Sequence, residues 1–148
     1  MVTLETNLIF LGGCCKTNWR DQITEYLVKN KINYFNPVVD YWTQKDRLIE
    51  NEIKYHSLNK SIFYFSEHTG IYSMAEFIDL ASRFDSDLFH RPVMFFNPLL
   101  ISKKKRENLL NCFELVNRSG SLYEGSLDYC IEQIVNSFKI ISNCINRV

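Results

Sequence analysis

The chain has 148 residues, of which 46% are hydrophobic and 14% aromatic, with only five glycines and three prolines. These values exclude a disordered protein, a string of flexibly linked modules and a collagen-like chain, and they favour one compact domain spanning residues 1–148. Lys plus Arg and Asp plus Glu are both 17, and this zero net charge argues against a protein that coats nucleic acid or an anionic membrane surface.

Five short apolar runs recur along the chain, and each is followed by a segment with helical periodicity. The predicted strands are residues 8–11, 33–36, 61–65, 92–96 and 121–123. The third run is β-branched and aromatic without alternation, which is typical of a strand covered on both faces. Repeated alternation of strand and helix predicts right-handed crossovers and a parallel sheet.

Each predicted helix has an apolar face. These faces carry Trp19, Ile23, Tyr26 and Leu27; then Trp42, Ile49, Ile53 and His56; then Met74, Phe77, Ile78 and Ala81 after Gly70; then Leu109, Cys112, Phe113 and Val116; and finally Leu127, Ile131, Ile134, Phe138, Ile141 and Ile145. The spacing in the last helix fits either a coiled-coil seam or a helix packed on the sheet, and the second interpretation is favoured.

For five parallel strands we expect an α/β flavodoxin-like, doubly wound sheet in the order 2-1-3-4-5, with helices on both faces. In that order a ligand crevice lies beyond the carboxyl ends of the first and third strands. The residues that follow those two strands are therefore the first candidates for a functional site.

Two glycines, Gly12 and Gly13, follow the first strand and precede a predicted helix. Glycine lets a ligand approach the backbone, and a helix N-terminus offers free N–H donors. The spacing is neither that of a dinucleotide-binding fold nor that of a P-loop. The pattern alone does not distinguish a ligand-binding turn from a tight structural turn.

After the third strand, the sequence contains Ser73 and, three residues later, Glu76. Before an apolar stripe, this spacing is typical of a capping box, and Thr43 with Asp46 shows the same spacing elsewhere in the chain. The alternative is catalysis, because an ionised carboxylate at this edge of the sheet suits nucleophilic attack on a sugar carbon.

The motifs in residues 7–84 together resemble the nucleoside 2-deoxyribosyltransferase-like family. In chain order they are Ile9-Phe-Leu-Gly-Gly13, Trp19-Arg20, Phe35-Asn-Pro37, Trp42 and Ser73-Met-Ala-Glu76. The resemblance implies a flavodoxin-like fold and a glutamate, here Glu76, that attacks the anomeric carbon of a nucleoside or nucleotide. A covalent glycosyl-enzyme would form, and a second base or water would resolve it. The implied substrate-binding residues are Gly12, Gly13, Trp19, Asn36, Pro37, Trp42 and Ser73.

The chain departs from the family at two aspartates, the first of which helps to bind or protonate the base. Gly70 stands where the family commonly has an aspartate, six residues before the nucleophile, and Asn59 lies in the segment where another aspartate is usual. Proton transfer to a leaving group typically contributes about 10²–10⁴-fold. The possible substitutes as proton donor are Glu67, His68 and Asp40.

Two other functions remain open from the sequence. One is an NAD glycohydrolase of Toll/interleukin-receptor type, in which a catalytic glutamate also follows a serine on a helix; the tryptophan-cysteine signature of that family is absent between Ser73 and Glu76. The other is a nucleotide-binding module that sequesters or senses its ligand without turnover.

The remaining expectations concern cofactors, partners and location. We expect the protein to bind a small molecule and to self-associate. We expect no cofactor and no metal ion, and neither a nucleic acid nor a membrane as a partner. Five cysteines without a CxxC pair predict reduced thiols rather than disulfides or a zinc site. The short apolar run at residues 8–11 follows no basic segment, and we therefore expect a cytoplasmic protein.

Overall fold

The computed structural model describes residues 8–56, 59–84, 91–116 and 121–146, with side chains described up to residue 140. All five predicted strands are present and each is followed by a helix. The elements are β1 (Leu8–Gly13), α1 (Trp19–Lys29), β2 (Asn33–Phe35), α2 (Gln44–Tyr55), β3 (Lys60–Tyr64), α3 (Ile71–Arg83), β4 (Val93–Phe96), α4 (Lys103–Leu115), β5 (Ser121–Glu124) and α5 (Leu127–Asn146).

The strands form one parallel sheet in the order β2-β1-β3-β4-β5. This is the predicted flavodoxin-like topology, which is confirmed. Strands β1, β3 and β4 are buried along their whole length, whereas the edge strands β2 and β5 are partly exposed. The central strands have helices on both faces, and this explains why their apolar residues form continuous runs instead of alternating.

The core lies in two main layers on opposite faces of the sheet. On one face, residues of α1 and α5 pack on β1, β3 and β4, and the aromatic contacts centre on Trp19, Tyr64 and Phe95. On the other face, α3 and α4 pack around Phe63 and Phe77. A smaller cluster of Leu8, Phe10 and Ile53 seats α2 against β1.

Helix α5 packs on the sheet, as the favoured interpretation predicted. Ile131, Ile134 and Phe138 are buried in the layer shared with α1. The side chains of Ile141 and Ile145, which completed the predicted stripe, lie outside the described residues.

Helix α2 begins later than its apolar pattern predicted. Thr43 has an extended backbone and accepts a hydrogen bond from the N–H of Asp46, while the Asp46 carboxylate accepts one from the N–H of Thr43. This capping box leaves Trp42 outside the helix. Placing Trp42 on the apolar face of α2 was therefore wrong, and only Ile53 of that predicted face is fully buried.

The capping-box interpretation of Ser73 and Glu76 is also wrong. The N-cap of α3 is Gly70, which has an extended backbone and makes no side-chain cap bond, so that Ser73 falls inside the first turn. Because Ser73 lies inside the helix, it does not occupy the N-cap position, and it does not form a capping box with Glu76. The Glu76 carboxylate is therefore available for other contacts. The same spacing thus gives a cap at Thr43 and none at Ser73.

No helix in the described part of the chain is long and apolar enough to span a lipid bilayer.

We expect Gly13→Ala to destabilise the protein strongly. Gly13 has φ +101°, and a Cβ there would lie 2.2 Å from the carbonyl oxygen of Tyr64 on the paired strand β3. Backbone strain and a clash with the backbone each cost on the order of 1–3 kcal/mol. In urea unfolding, the free energy of unfolding of Gly13→Ala should therefore be lower than that of the wild type by about 2 kcal/mol or more.

The matched control is Gly70→Ala, because a Cβ at Gly70 meets no atom within 4 Å. We expect its free energy of unfolding to change by less than about 1 kcal/mol, the scale of a weakened N-cap. Equal stability of the two variants would contradict this view of the β1–α1 turn.

Candidate functional site

A cavity of about 450 Å³ opens at the carboxyl end of β1, beside the first turns of α3. The β2–α2 loop forms one wall, and α2 and α3 form another. The lining residues are Phe10, Gly12, Gly13, Cys15, Arg20, Pro37, Val38, Val39, Trp42, Glu50, Tyr72, Ser73 and Glu76. Most of these side chains are apolar or aromatic, with two carboxyl groups among them, which is the usual composition of a site for a small organic ligand.

Glu76 lies on α3 in the wall of this cavity and forms a salt bridge with Lys54 of α2. The distance from Lys54 Nζ to Glu76 Oε2 is 2.5 Å, and the two side chains are 3% and 13% exposed. The Lys54 ammonium also lies 5.6 Å from the ring centroid of Phe10. The Glu76 carboxylate is thus held in place by a nearly buried cation, and one of its oxygens, Oε1, has no hydrogen-bond partner among the described residues.

A second contact joins the same two helices. The Tyr55 hydroxyl donates a hydrogen bond to Asp79 Oδ2; Tyr55 directly follows Lys54 on α2, and Asp79 lies about one turn after Glu76 on α3. Burial, together with this hydrogen bond, raises the pKa of Tyr55 to about 12. Two polar links between α2 and α3 therefore set the position of Glu76 relative to the cavity.

Glu50 is a second carboxyl group in the cavity, one helical turn before Lys54. The residue is only 6% exposed, and its Oε1 accepts a hydrogen bond of 2.9 Å from the indole Nε1 of Trp42. Burial raises the pKa of Glu50; the Trp42 hydrogen bond and the Lys54 charge act in the opposite direction, and the charge of Glu76 adds to the rise. Two carboxyl groups with different environments in one cavity are typical of acid–base catalysis.

Arg20 holds the turn that carries Gly12 and Gly13. Its guanidinium donates hydrogen bonds to the carbonyl oxygens of Leu11, Gly13 and Cys14 at 2.7–3.4 Å. Burial lowers the pKa of Arg20. Because most of the N–H donors of Arg20 are bonded to backbone carbonyls, we assign this residue the role of fixing the shape of the turn that lines the cavity.

Several of the residues predicted for the site come together in this cavity: Gly12, Gly13, Pro37, Trp42, Ser73 and Glu76. Trp19 does not. It is 1% exposed and packs between Tyr64 and Phe95 in the core, and its indole N–H donates to the carbonyl of Cys14. As the first residue of α1, Trp19 turns toward the sheet, so that its predicted place in the binding site was wrong.

Asn36 is also outside the lining. Its Oδ1 accepts a hydrogen bond from the N–H of Val38, which forms a local turn around Pro37. The amide therefore shapes the loop that presents Pro37, Val38 and Val39 to the cavity, and it does not itself face the ligand space.

None of the three candidate proton donors from the sequence lines the cavity. Glu67 accepts hydrogen bonds from the backbone N–H and the hydroxyl of Ser102, and these bonds tie it to the start of α4 and lower its pKa. His68 is exposed in the β3–α3 loop, and Asp40 is exposed in the β2–α2 loop. The carboxyl groups that line the cavity are instead those of Glu50 and Glu76.

The sequence analysis missed two residues of the candidate site: Glu50, which lines the cavity, and Lys54, which pairs with Glu76. Their spacing of four residues places both on one face of α2, next to the buried Ile53. A Glu–Lys pair at this spacing is common on exposed helix surfaces and gives no sign of burial by itself. The weak signal was that both residues fall on the same face of α2 as the apolar residue Ile53, and not on the opposite, solvent-facing side.

No protein-family model and no curated protein sequence matches the chain. Among solved structures, the chain is similar to the TIR domains of the activated Roq1 resistosome, which directly recognises the pathogen effector XopQ. The identity is 13% and the TM-score 0.55, and the match covers 89% of this chain and 99% of that chain. At this identity the likeness shows the fold alone, and it agrees with the flavodoxin-like topology.

Proposed function

We propose that the protein cleaves the N-glycosidic bond of a nucleoside or nucleotide, with Glu76 as the nucleophile and a covalent glycosyl-enzyme as intermediate. The observation that carries this proposal is the position of Glu76, which lines the cavity and is paired with Lys54 instead of capping α3. The order of motifs that resembles the nucleoside 2-deoxyribosyltransferase-like family supports the same chemistry.

In the proposed reaction, a Glu76 oxygen attacks C1′ of the sugar while the bond from C1′ to the base nitrogen breaks, and its electron pair remains on the base. Because Lys54 holds Oε2, we assign the attack to Oε1. Water or a second base then attacks C1′ from the opposite side and releases Glu76. Because the salt bridge fixes one carboxylate oxygen in advance, the nucleophile loses less conformational freedom on reaching the transition state, and the entropic cost of the reaction is lower.

The cavity wall suits a planar base. The half-exposed rings of Trp42 and Tyr72 lie at its rim, and Pro37, Val38 and Val39 give it an apolar side. Aromatic faces stack favourably on planar ring systems, and such pairs contribute about 0.5–1.5 kcal/mol beyond burial. We therefore place the base against the β2–α2 loop and the sugar between Gly13 and Glu76.

A second candidate is the hydrolysis of NAD to nicotinamide, because the nicotinamide–ribose bond is also N-glycosidic. The fold likeness to TIR domains and the order of Ser73 and Glu76 favour it. Met74 and Ala75 occupy the place of the tryptophan-cysteine signature and count against it. A third candidate, binding of a nucleotide without turnover, would use the same cavity.

A panel of 2′-deoxynucleosides, nucleosides, their 5′-monophosphates and NAD tests these candidates, with chromatography of the released base. We expect free base from at least one deoxynucleoside or deoxynucleotide, and more when a second base is added as acceptor. Nicotinamide from NAD alone would favour the second candidate. A thermal shift with a nucleotide and no product from any compound would indicate binding without catalysis and would contradict the proposed reaction.

We also propose that the protein self-associates, since the resembling family and the resistosome neighbour both suggest assemblies. Light scattering on the purified protein would give the mass directly, and the mass of a single chain at all concentrations would exclude it. The cytoplasmic location expected from the sequence stays a prediction.

A further inference from the structure

The proposed cleavage leaves one chemical requirement without a residue. A purine or pyrimidine departs slowly as an anion, and an acid that protonates it typically accelerates departure by about 10²–10⁴-fold. Glu67, His68 and Asp40 lie outside the cavity lining, whereas Glu50 lies within it. We propose that Glu50 is the general acid that protonates the departing base; this inference rests on the proposed function of Glu76.

The geometry around Glu50 suits a proton donor. Its carboxyl group is almost fully buried beside Trp42, at the wall where the base is placed. Because the indole N–H donates to Oε1, that oxygen acts as an acceptor, and the acidic proton of a neutral carboxyl group is carried on Oε2. The Trp42 bond therefore orients the proton as well as the side chain.

The charges that act on Glu50 come from two helices. Lys54 and Asp46 lie on α2 and Glu76 on α3, and Arg20 of α1 lines the same cavity. Burial raises the pKa of Glu50 and the Glu76 charge raises it further, against the opposing effects of Trp42 and Lys54. The net direction is upward, which favours a neutral carboxyl group that still has a proton to give.

The transfer balances in atoms and charge. As the Glu76 oxygen forms its ester bond to C1′, the electron pair of the C1′–N bond passes to the base, and a base nitrogen takes the proton from Glu50 Oε2. One negative charge thus leaves Glu76 and appears on Glu50. Lys54 forms the salt bridge to Glu76 and lies four residues after Glu50 on the same helix, so that its ammonium is close to the negative charge before and after the step. In the second half, the Glu50 carboxylate takes the proton of the attacking water.

Glu50→Gln tests the inference, because glutamine keeps the oxygen that accepts the Trp42 bond and has no acidic proton. The two probes are 2′-deoxyinosine, whose base needs protonation, and 7-methyl-2′-deoxyguanosine, whose cationic base leaves as a neutral molecule. We expect kcat on 2′-deoxyinosine to fall by about 10²–10⁴-fold, and kcat on the methylated substrate to fall by less than about tenfold. The matched control is Glu52→Gln on the exposed side of α2, which should leave both rates unchanged.

The pH profile gives a second readout. The general acid must be protonated, so that kcat of the wild type on 2′-deoxyinosine should fall as the pH rises through the raised pKa of Glu50, and Glu50→Gln should lack this fall. Because the folded state favours the neutral carboxyl group, ionisation of Glu50 lowers stability as the pH rises, and the glutamine variant should fold at least as well as the wild type.

Three results would overturn the role of Glu50: equal losses on both substrates, which would indicate positioning only; no loss on either; or a ¹³C NMR titration of the Glu50 carboxyl group within the ordinary range for glutamate. A wild-type protein that releases base neither from these two substrates nor from any compound of the panel would instead overturn the proposed function of Glu76, and with it this role for Glu50.

Discussion

Glu76→Gln should abolish base release while leaving the cavity in place. The amide cannot act as a nucleophile toward C1′, and loss of the nucleophile in other enzymes lowers kcat by roughly 10⁴-fold or more. The rate of base release should fall on that scale for every substrate that the wild type accepts, including an activated one such as 7-methyl-2′-deoxyguanosine. This insensitivity to the leaving group separates Glu76 from Glu50.

Glu52→Gln is again the matched control, since it removes a carboxylate from the exposed side of α2 without touching the cavity. Its kcat should equal that of the wild type. If Glu76→Gln retained more than about a tenth of the wild-type rate, a different residue would have to be the nucleophile.

The second large effect concerns stability and follows from the salt bridge between Lys54 and Glu76. Both side chains are nearly buried, so that removing one leaves the charge of the other without its partner. Breaking a buried pair in this way typically costs about 3–5 kcal/mol, whereas replacing both partners is often close to neutral. We therefore expect Lys54→Met and Glu76→Gln each to lower the free energy of unfolding by several kcal/mol.

The double variant, Lys54→Met with Glu76→Gln, should recover most of that loss. Urea unfolding of the wild type, the two single variants and the double variant completes a double-mutant cycle, which isolates the coupling between the two residues. The double variant should be more stable than either single variant and should release no base. Additive losses would show that Lys54 and Glu76 are not energetically coupled and would contradict a stabilising salt bridge. A stable but inactive double variant would also show that the activity lost in Glu76→Gln does not come from unfolding.

The fold followed from the sequence because its signals are local and repeated. The apolar runs at β1, β3 and β4 needed cover on both faces, and alternation with helices left the doubly wound parallel sheet as the expected arrangement. Helix starts were harder. Ser73 with Glu76 and Thr43 with Asp46 have the same spacing, and only the backbone at Gly70 and Thr43 decides which pair forms a cap.

The site was predicted in part for a similar reason. Residues at the end of β1 and in the first two turns of α3, such as Gly13 and Glu76, are placed by topology, and both line the cavity. Trp19 was predicted to contact the ligand, but the direction of its side chain depends on the packing of α1 against β3 and β4. Glu50 is buried because α2 packs against β1. This is a tertiary contact, and the sequence does not reveal it, since a charged residue at this spacing is equally common on an exposed helix.

The most direct test of the proposed chemistry is to trap the glycosyl-enzyme. A 2′-fluoro-substituted deoxynucleoside slows both the formation and the breakdown of such an intermediate, because fluorine at C2′ destabilises the positive charge that develops at C1′. After incubation, mass spectrometry of the intact protein should show one added fluorosugar, and peptide mapping should place it on Glu76. Glu76→Gln should show no addition. Base release by the wild type with no adduct on the protein, or an adduct on a residue other than Glu76, would contradict the assignment of Glu76 as the nucleophile.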